Sequence, residues 1–453
     1  MIDKRRYVRR FHLTKRAVLV QKMLNISSFH FDLRNMGIHP VVFESDDWGM
    51  CGETKDRNTL NELLEIEHGN ARLDKMKYNN TLESSDDLEA LFWILKSRED
   101  SLGRPAIFTA NHVMSNPDFR MIESSGFKSY HYVPISLGFP ENWARGDVKN
   151  SWLRGIKMGV WRAEFHALHH FNYKAWLRSL QSGEKYTRRL FDLGVVYYPK
   201  RPITISEYVL NARAGRYERF KEQMNMIYTG CKIFRDVFGY WPESTIPPHD
   251  MWNFDTELAF FKCGLRYIQT ERNRPSAVLL PSYAIKSPMK SALAGIMIAS
   301  YFVKVLRNIW LEPGDSLEYA LEAYNYIIKN DLCAVVGTHR VNYVSTVNPG
   351  MCSEGRRKLS DFLNFLTEDD KLVFLTVSEL SQLILRGYSI FVNYNSAIIR
   401  NYTNNVVKIS CPFNKCEAFD LTHDMYLDAN GNMQEGKMRV PCRTTLLLNN
   451  RQI

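Results

Sequence analysis

Val41-Val42-Phe43-Glu44-Ser45-Asp46-Asp47-Trp48-Gly49 is the stretch on which the fold turns. Val41–Ser45 reads as a strand, because a short apolar run stops at polar and turn-forming residues. It ends in two adjacent carboxylates and a glycine. A dinucleotide-binding fold would place a glycine-rich phosphate loop here, and the sequence has none.

Outward from that strand, short apolar runs alternate with amphipathic segments. Further strands are predicted at Ala106–Ala110, Gly159–Phe165, Ser244–Pro247, Leu265–Thr270, Phe302–Leu306, Cys333–Thr338 and Leu372–Thr376. Helical patterns lie between most of them, at Arg213–Phe238, Phe254–Cys263, Ser316–Lys329 and Glu354–Leu366, and a last one covers Val377–Leu385. Strands separated by helices imply a parallel sheet with right-handed crossovers. At 453 residues, the expected fold is an α/β chain closed into a distorted barrel of seven or eight β/α units. From residue 388 the texture becomes short, β-rich and rich in Asn, Gly and Pro, with a turn at Asp428-Ala429-Asn430-Gly431-Asn432. The expected domains are a basic N-terminal segment over 1–37, the barrel over 38–387, and a small C-terminal β-rich appendage over 388–453, one half of a sandwich.

Composition narrows the class. Hydrophobic residues make up 45% and charged residues 24%, which excludes wholesale disorder. The net charge is +10, but residues 1–22 hold eight Lys and Arg against Asp3 alone. The remainder is near neutral, so no nucleic-acid partner is expected. The basic segment can sit peripherally on an anionic membrane surface, or be a solvated helix. Its apolar run Ala17-Val18-Leu19-Val20 is too short for a secretion signal, and no stretch is long enough to span a bilayer. The eight cysteines are scattered without a C-x-x-C pair, and reduced packing residues in a cytoplasmic protein are the expectation.

Chemistry in such a barrel gathers at the carboxyl ends of strands, and four segments fall there. Asp46 and Asp47 can diverge, one carboxylate toward a metal and one toward a water. In His166-Ala167-Leu168-His169-His170, the first and last histidines share a face if the chain makes a helical turn, and His169 could replace His170. Pro247-Pro248-His249-Asp250-Met251-Trp252-Asn253 could wall a sugar-sized groove. His339, followed by Arg340 and Tyr343, sits at the end of a buried strand, where it could transfer a proton. One Asp with two His leaves open coordination positions, as a catalytic metal site requires. A second carboxylate as base and a separate His as acid complete the inventory for hydrolysing an acetamide.

These segments, in this order, resemble the polysaccharide deacetylase superfamily, the family 4 carbohydrate esterases. The resemblance covers roughly residues 38–387. It implies Asp46 as general base, Asp47, His166 and His170 as ligands of a divalent metal, and His339 as general acid. Zn²⁺ suits those ligands best, with Mn²⁺, Co²⁺ or Ni²⁺ also compatible. Phe108-Thr109-Ala110-Asn111, Asn116-Pro117-Asp118-Phe119 and His339-Arg340-Val341-Asn342-Tyr343 look like a bacterial branch of polysaccharide (de)acetylases associated with capsule or O-antigen synthesis. The implied activity is removal of N- or O-acetyl groups from a polysaccharide or a lipid-linked sugar precursor. Trp48, Asn111, Asn172, Pro248, His249, Trp252, Arg340 and Tyr343 are the expected substrate-binding residues. Two departures stand out. Ala167 replaces the usual Ser or Thr, and the third motif lacks the Arg that steadies the catalytic Asp, leaving Arg162, Arg272 or Arg340 as substitutes. The rival readings are a metal-independent glycoside hydrolase pairing Asp46 with Glu164 or Glu271, and a non-catalytic glycan-binding homologue.

Overall fold

The computed structural model describes residues 36–66, 78–143, 145–196, 206–208, 216–271, 296–299, 302–392, 396–413, 416–427, 433–434 and 437–450. The basic segment up to residue 35, Arg272 and the expected turn at 428–432 lie outside the described residues.

Ten strands make the main sheet: β1 His39–Trp48, β2 Phe108–Val113, β3 Trp161–Ala167, β4 Ser244–Thr245, β5 Tyr267–Glu271, β6 Ile296–Ala299, β7 Phe302–Arg307, β8 Ile309–Trp310, β9 Ala334–His339 and β10 Leu372–Leu375. Their order is β8-β9-β1-β2-β3-β4-β5-β7, with β6 antiparallel on β7 and β10 against β1. The sheet is a nearly closed parallel barrel. Closure depends on one kinked stretch, since β7 pairs with β5 while β8, one residue later, pairs with β9. Asn308 fills the break: its Nδ2 donates to the Cys333 carbonyl at 2.9 Å and its Oδ1 accepts from the Val335 amide at 2.8 Å. Strand β10 wedges in at the base, pairing with His39–Val42, while Phe43–Trp48 pair with β2.

The β1 run is apolar without alternation because both its faces are covered, and Val41, Val42 and Phe43 are all fully buried. Helices wrap the outside. Several start at capping boxes, as at Ser84 with Asp87 and Thr376 with Glu379, which satisfy otherwise orphaned amides. The helix expected from Glu354 starts earlier, at Pro349, with Asn348 capping it. Proline at the first helical position is a start signal, because its missing N–H would be unpaired there anyway. The strand expected over Ser244–Pro247 shortens to Ser244–Thr245, since Pro247 and Pro248 have no N–H to donate to a ladder.

Past the helix Val377–Arg386 the chain leaves the barrel through Gly387, whose φ of 80° suits a left-handed cap. It then forms β11 Tyr388–Val392, β12 Ser396–Asn401, β13 Val407–Ser410, β14 Cys416–Asp420, β15 Met425–Leu427, β16 Met433–Gln434, β17 Lys437–Val440 and β18 Thr445–Asn450. These make two antiparallel sheets, β11-β12-β18-β14-β15 and β13-β17-β16. Ile399, Ile409, Met438, Val440, Leu446 and Leu448 pack between them as a separate small core. The sheets dock on the barrel's base. Arg400 pairs with Glu379, and the Arg162 guanidinium lies 4.2 Å from the rings of both Tyr240 and Phe391. The opposite end is left for chemistry. No helix among the described residues is long and apolar enough to cross a membrane.

Candidate metal centre and acid–base pair

Consecutive side chains of a regular strand point to opposite faces, yet Asp46 and Asp47 both serve the barrel mouth. The register of β1 on β2 shifts between Ser45 and Trp48, and Asp47 has a φ of 73°. That bulge turns Asp47 sideways while Asp46 stays beside His339 in the β1–β9 ladder.

His166 lies on β3, and its Nδ1 is 2.7 Å from the Ile246 carbonyl. A carbonyl only accepts, so Nδ1 carries a proton and Nε2 is the nitrogen left facing Asp47. That Nε2 is 3.5 Å from Asp47 Oδ1, and His170 Nε2 is also 3.5 Å from the same oxygen. The three ligand atoms lie within 4.8 Å of one another, and all three residues are buried. The helical turn expected here is absent. His166 is the last residue but one of β3, and His170 reaches back from a bend with a φ of 70°. His169 faces away: its Nδ1 is 2.7 Å from Ser115 Oγ, and its ring packs against Tyr130, Tyr132 and Tyr173. Burial pushes its pKa down to about 3, and burial likewise holds His170 well below the usual histidine range.

Asp46 is held by a residue the sequence reading did not single out. Arg307, at the end of β7 and fully buried, approaches both Asp46 oxygens at 2.7 Å and donates from Nε to Glu44 Oε2 at 2.8 Å. Burial would raise the Asp46 pKa, but the Arg307 charge and hydrogen bonds overcome it and hold the carboxyl below its ordinary value. Glu44 has the weaker share, and burial pushes it up to about 7. Neither of the two described substitutes does this work. Arg162 pairs with Glu164 and Glu243 at the base, Arg340 pairs with Glu83, and Arg272 is not described. Asn111 adds a bond from Nδ2 to Asp46 Oδ1 at 2.8 Å and exchanges amide bonds with Gln269. It is an interior brace on Asp46 and not the groove residue expected.

On the other side of Asp46, His339 Nε2 is 3.6 Å from Oδ2. Its Nδ1 is 2.7 Å from Glu312 Oε1, whose second oxygen accepts from Asn342 at 3.0 Å. Burial alone would favour the neutral ring, but the Glu312, Asp46 and Asp47 carboxylates raise its pKa to about 10. Glu312 is the second residue that sequence reasoning missed, having no motif or strand end of its own.

The expected groove residues divide. Trp48, Arg340 and Tyr343 are buried and offer a sugar no face. Trp48 donates to Ser45 Oγ at 3.1 Å and packs edge-on against Trp161. Arg340 is an internal ion pair, and Tyr343 OH meets Thr338 Oγ1 at 3.0 Å. These three expectations are corrected: their motifs mark packing under the mouth. Asn172 caps the helix Tyr173–Gln181 through Ala175. Pro248 and Trp252 are largely buried, with Trp252 donating to Glu257 at 2.9 Å. The half-buried His249 stands over the mouth, its ring 5.3 Å from that of His170. Asp47, His170, His249 and Asp250 all have positive φ. Left-handed backbone costs a non-glycine residue on the order of 1–3 kcal/mol and persists where surroundings over-determine it, as at functional sites.

The fold and mouth together define a parallel α/β barrel with a three-donor cation-type cluster beside a carboxylate–imidazole pair. The donors fit a divalent ion. Burial would raise the Asp47 pKa, but the surrounding histidines, His339 among them, overcome it and hold the carboxyl well below its usual range. It faces two Nε2 atoms, and among the described residues no Lys or Arg pairs with Asp47. No family model matches the sequence, and no curated protein matches it either. Among solved structures, one similar to this chain is described as a polysaccharide deacetylase from Mycobacterium smegmatis. It shows 12% identity over 77% of this chain and 90% of that one, with a TM-score of 0.38. A 4-alpha-glucanotransferase from Thermococcus litoralis shows 10% identity, covering 76% of this chain but only 40% of its own, at 0.41. A peptidoglycan N-acetylglucosamine deacetylase shows 10% over 76% and 88%, at 0.29. Likeness this distant says nothing of substrate, so the chemistry is read from the side chains.

Proposed function

We propose that this protein is a metal-dependent hydrolase that removes N- or O-acetyl groups from a polysaccharide or a glycolipid precursor. One observation carries the reading: a carboxylate held ionised by Arg307 and an imidazole held protonated by Glu312 flank the Asp47–His166–His170 cluster. Hydrolysis of an acyl bond needs a base that is empty and an acid that is loaded at the same pH. Asp46 and His339 are in those states near neutrality.

A divalent cation held by Asp47, His166 and His170 supplies Lewis acidity toward an acyl oxygen and toward water. Asp46 takes the proton from the attacking water, its orientation set by Arg307 and Asn111. His339 gives its Nε2 proton to the departing nitrogen or oxygen, while Glu312 keeps the ring turned and charged. Acetyl as the acyl group and a glycan as its carrier are supported by the sequence resemblance alone.

The glycosidase reading loses one of the two partners expected for Asp46, and the side chain of the other, Glu271, lies outside what the structure describes. Glu164 is fully buried, accepts from Arg162 at 3.0 Å, and accepts the amides of Glu243 and Ser244 at 2.9 and 2.8 Å. It faces the base, away from Asp46's mouth.

The test is acetate release from acetylated chito-oligosaccharides and acetylated xylan by metal-loaded protein, with Asp46→Asn and His339→Ala beside it. Acetate release lost in both variants is expected. A wild type that holds stoichiometric metal and releases no acetate from any acetylated glycan refutes the deacetylase reading.

A further inference from the structure

Behind the histidine bend lies a buried carboxylate that the acid–base pair does not use. Glu207 is 1% exposed. Its Oε1 accepts the Leu168 amide at 3.0 Å and its Oε2 accepts the His169 amide at 2.5 Å. The same bend is gripped from its other side. Ser115 Oγ donates to the Leu168 carbonyl at 2.7 Å and lies 2.7 Å from His169 Nδ1. A hydroxyl has one proton, and here it goes to the carbonyl, so His169 Nδ1 must donate to Ser115. Amides, carbonyl and the middle ring of the bend are thus all engaged.

His170 explains why such a short bend is held so firmly. Its left-handed φ of 70° is unfavourable for a residue with a Cβ, yet this conformation returns Nε2 to Asp47. Two consecutive amides pointing the same way form a small anion cradle. A carboxylate fills it with two acceptors, whereas the glutamine isostere would set an N–H₂ against one amide.

We infer that Glu207 is a positioning residue for the metal centre, clamping the Leu168–His169 amides so that His170 stays in its left-handed conformation with Nε2 on the cation. Ser115 and His169 are the opposing jaw. The inference rests on the metal reading above, because a clamp on His170 matters only where His170 is a ligand.

The experiment uses the full chain, free of any His-tag, titrated with Co²⁺ alone. Visible absorption reports ligand geometry, and competition with a chromogenic chelator reports affinity. Glu207→Gln should weaken Co²⁺ binding by about 10–100-fold, the range for outer-shell partners of metal ligands, and change the ligand-field band. Ser115→Ala should move both in the same direction by less. Glu379→Gln, at the barrel base, should lower thermal stability without altering affinity or spectrum, which separates positioning from general loosening. Wild-type affinity and spectrum in Glu207→Gln overturn the inference. Should that variant not fold, Ser115→Ala decides, and unchanged binding there overturns it equally. A wild type that binds no Co²⁺ brings down the metal reading itself, and the clamp with it.

Discussion

Replacing Arg307 with Met removes the charge that two buried carboxylates share while keeping most of the side chain's volume. Arg307 is 1% exposed and contacts Glu44 and both oxygens of Asp46. Breaking a buried ion pair from one side costs roughly 3–5 kcal/mol, because the remaining charge is stranded. With about 2.1 cal/mol/K of unfolding entropy per residue over 453 residues, that is a fall of about 3–5 °C in Tm if the chain unfolds as one unit. Glu44, at about 7 even beside the guanidinium, escapes by taking up a proton, so the cost concentrates on Asp46. The Asp46 pKa then rises, and the base is lost at a higher pH than in the wild type. Two assays read this: thermal melts by circular dichroism, and kcat/KM for acetate release against pH, whose acid limb should move up. Adding Asp46→Asn to Arg307→Met should recover stability, since an amide leaves no charge unpaired. An unchanged Tm with an unmoved acid limb would refute the reasoning.

Other outcomes follow from the same geometry. Alanine at His166 or at His170 should strip divalent metal from the purified protein, and elemental analysis showing wild-type content in both removes the metal centre. Glu312→Gln should shift the alkaline limb of kcat/KM to lower pH, because His339 must keep its proton and Glu312 is the chief group raising its pKa to about 10; an unmoved limb assigns the acid elsewhere. Glu379 has its pKa lowered to about 2: burial opposes ionisation, but Arg104 and Arg400 outweigh it. A depressed folded pKa stabilises above the unfolded value and is lost as pH falls, so roughly 3 kcal/mol should disappear between about pH 4.5 and 2. Glu379→Gln should flatten that part of the stability–pH curve, as followed by urea titration at each pH.

Strand positions were readable because they depend on neighbours in sequence. Val41–Phe43, Cys333–Val336 and Leu372–Leu375 are short apolar runs that stop at polar or turn-forming residues, Glu44, Gly337 and Thr376, and each sits in the barrel wall. The ends of strands were readable for the same reason, which brought Asp46, Asp47, His166 and His339 into view. Trp48, Arg340 and Tyr343 show the limit. Composition marks them as aromatic or charged beside an active strand end, but only packing reveals that they are buried beneath it.

Sequence alone determined the alternation of strands and helices and the residue types arriving at the mouth, since hydrophobic period and local turn chemistry are short-range properties. Tertiary structure decided which of them meet. Arg307 comes 261 positions after Asp46 and Glu312 comes 27 before His339, and barrel closure, not spacing, sets both distances. It also put His170 rather than His169 beside Asp47, because that placement turns on a left-handed bend held by Glu207 and Ser115, side chains from other parts of the chain.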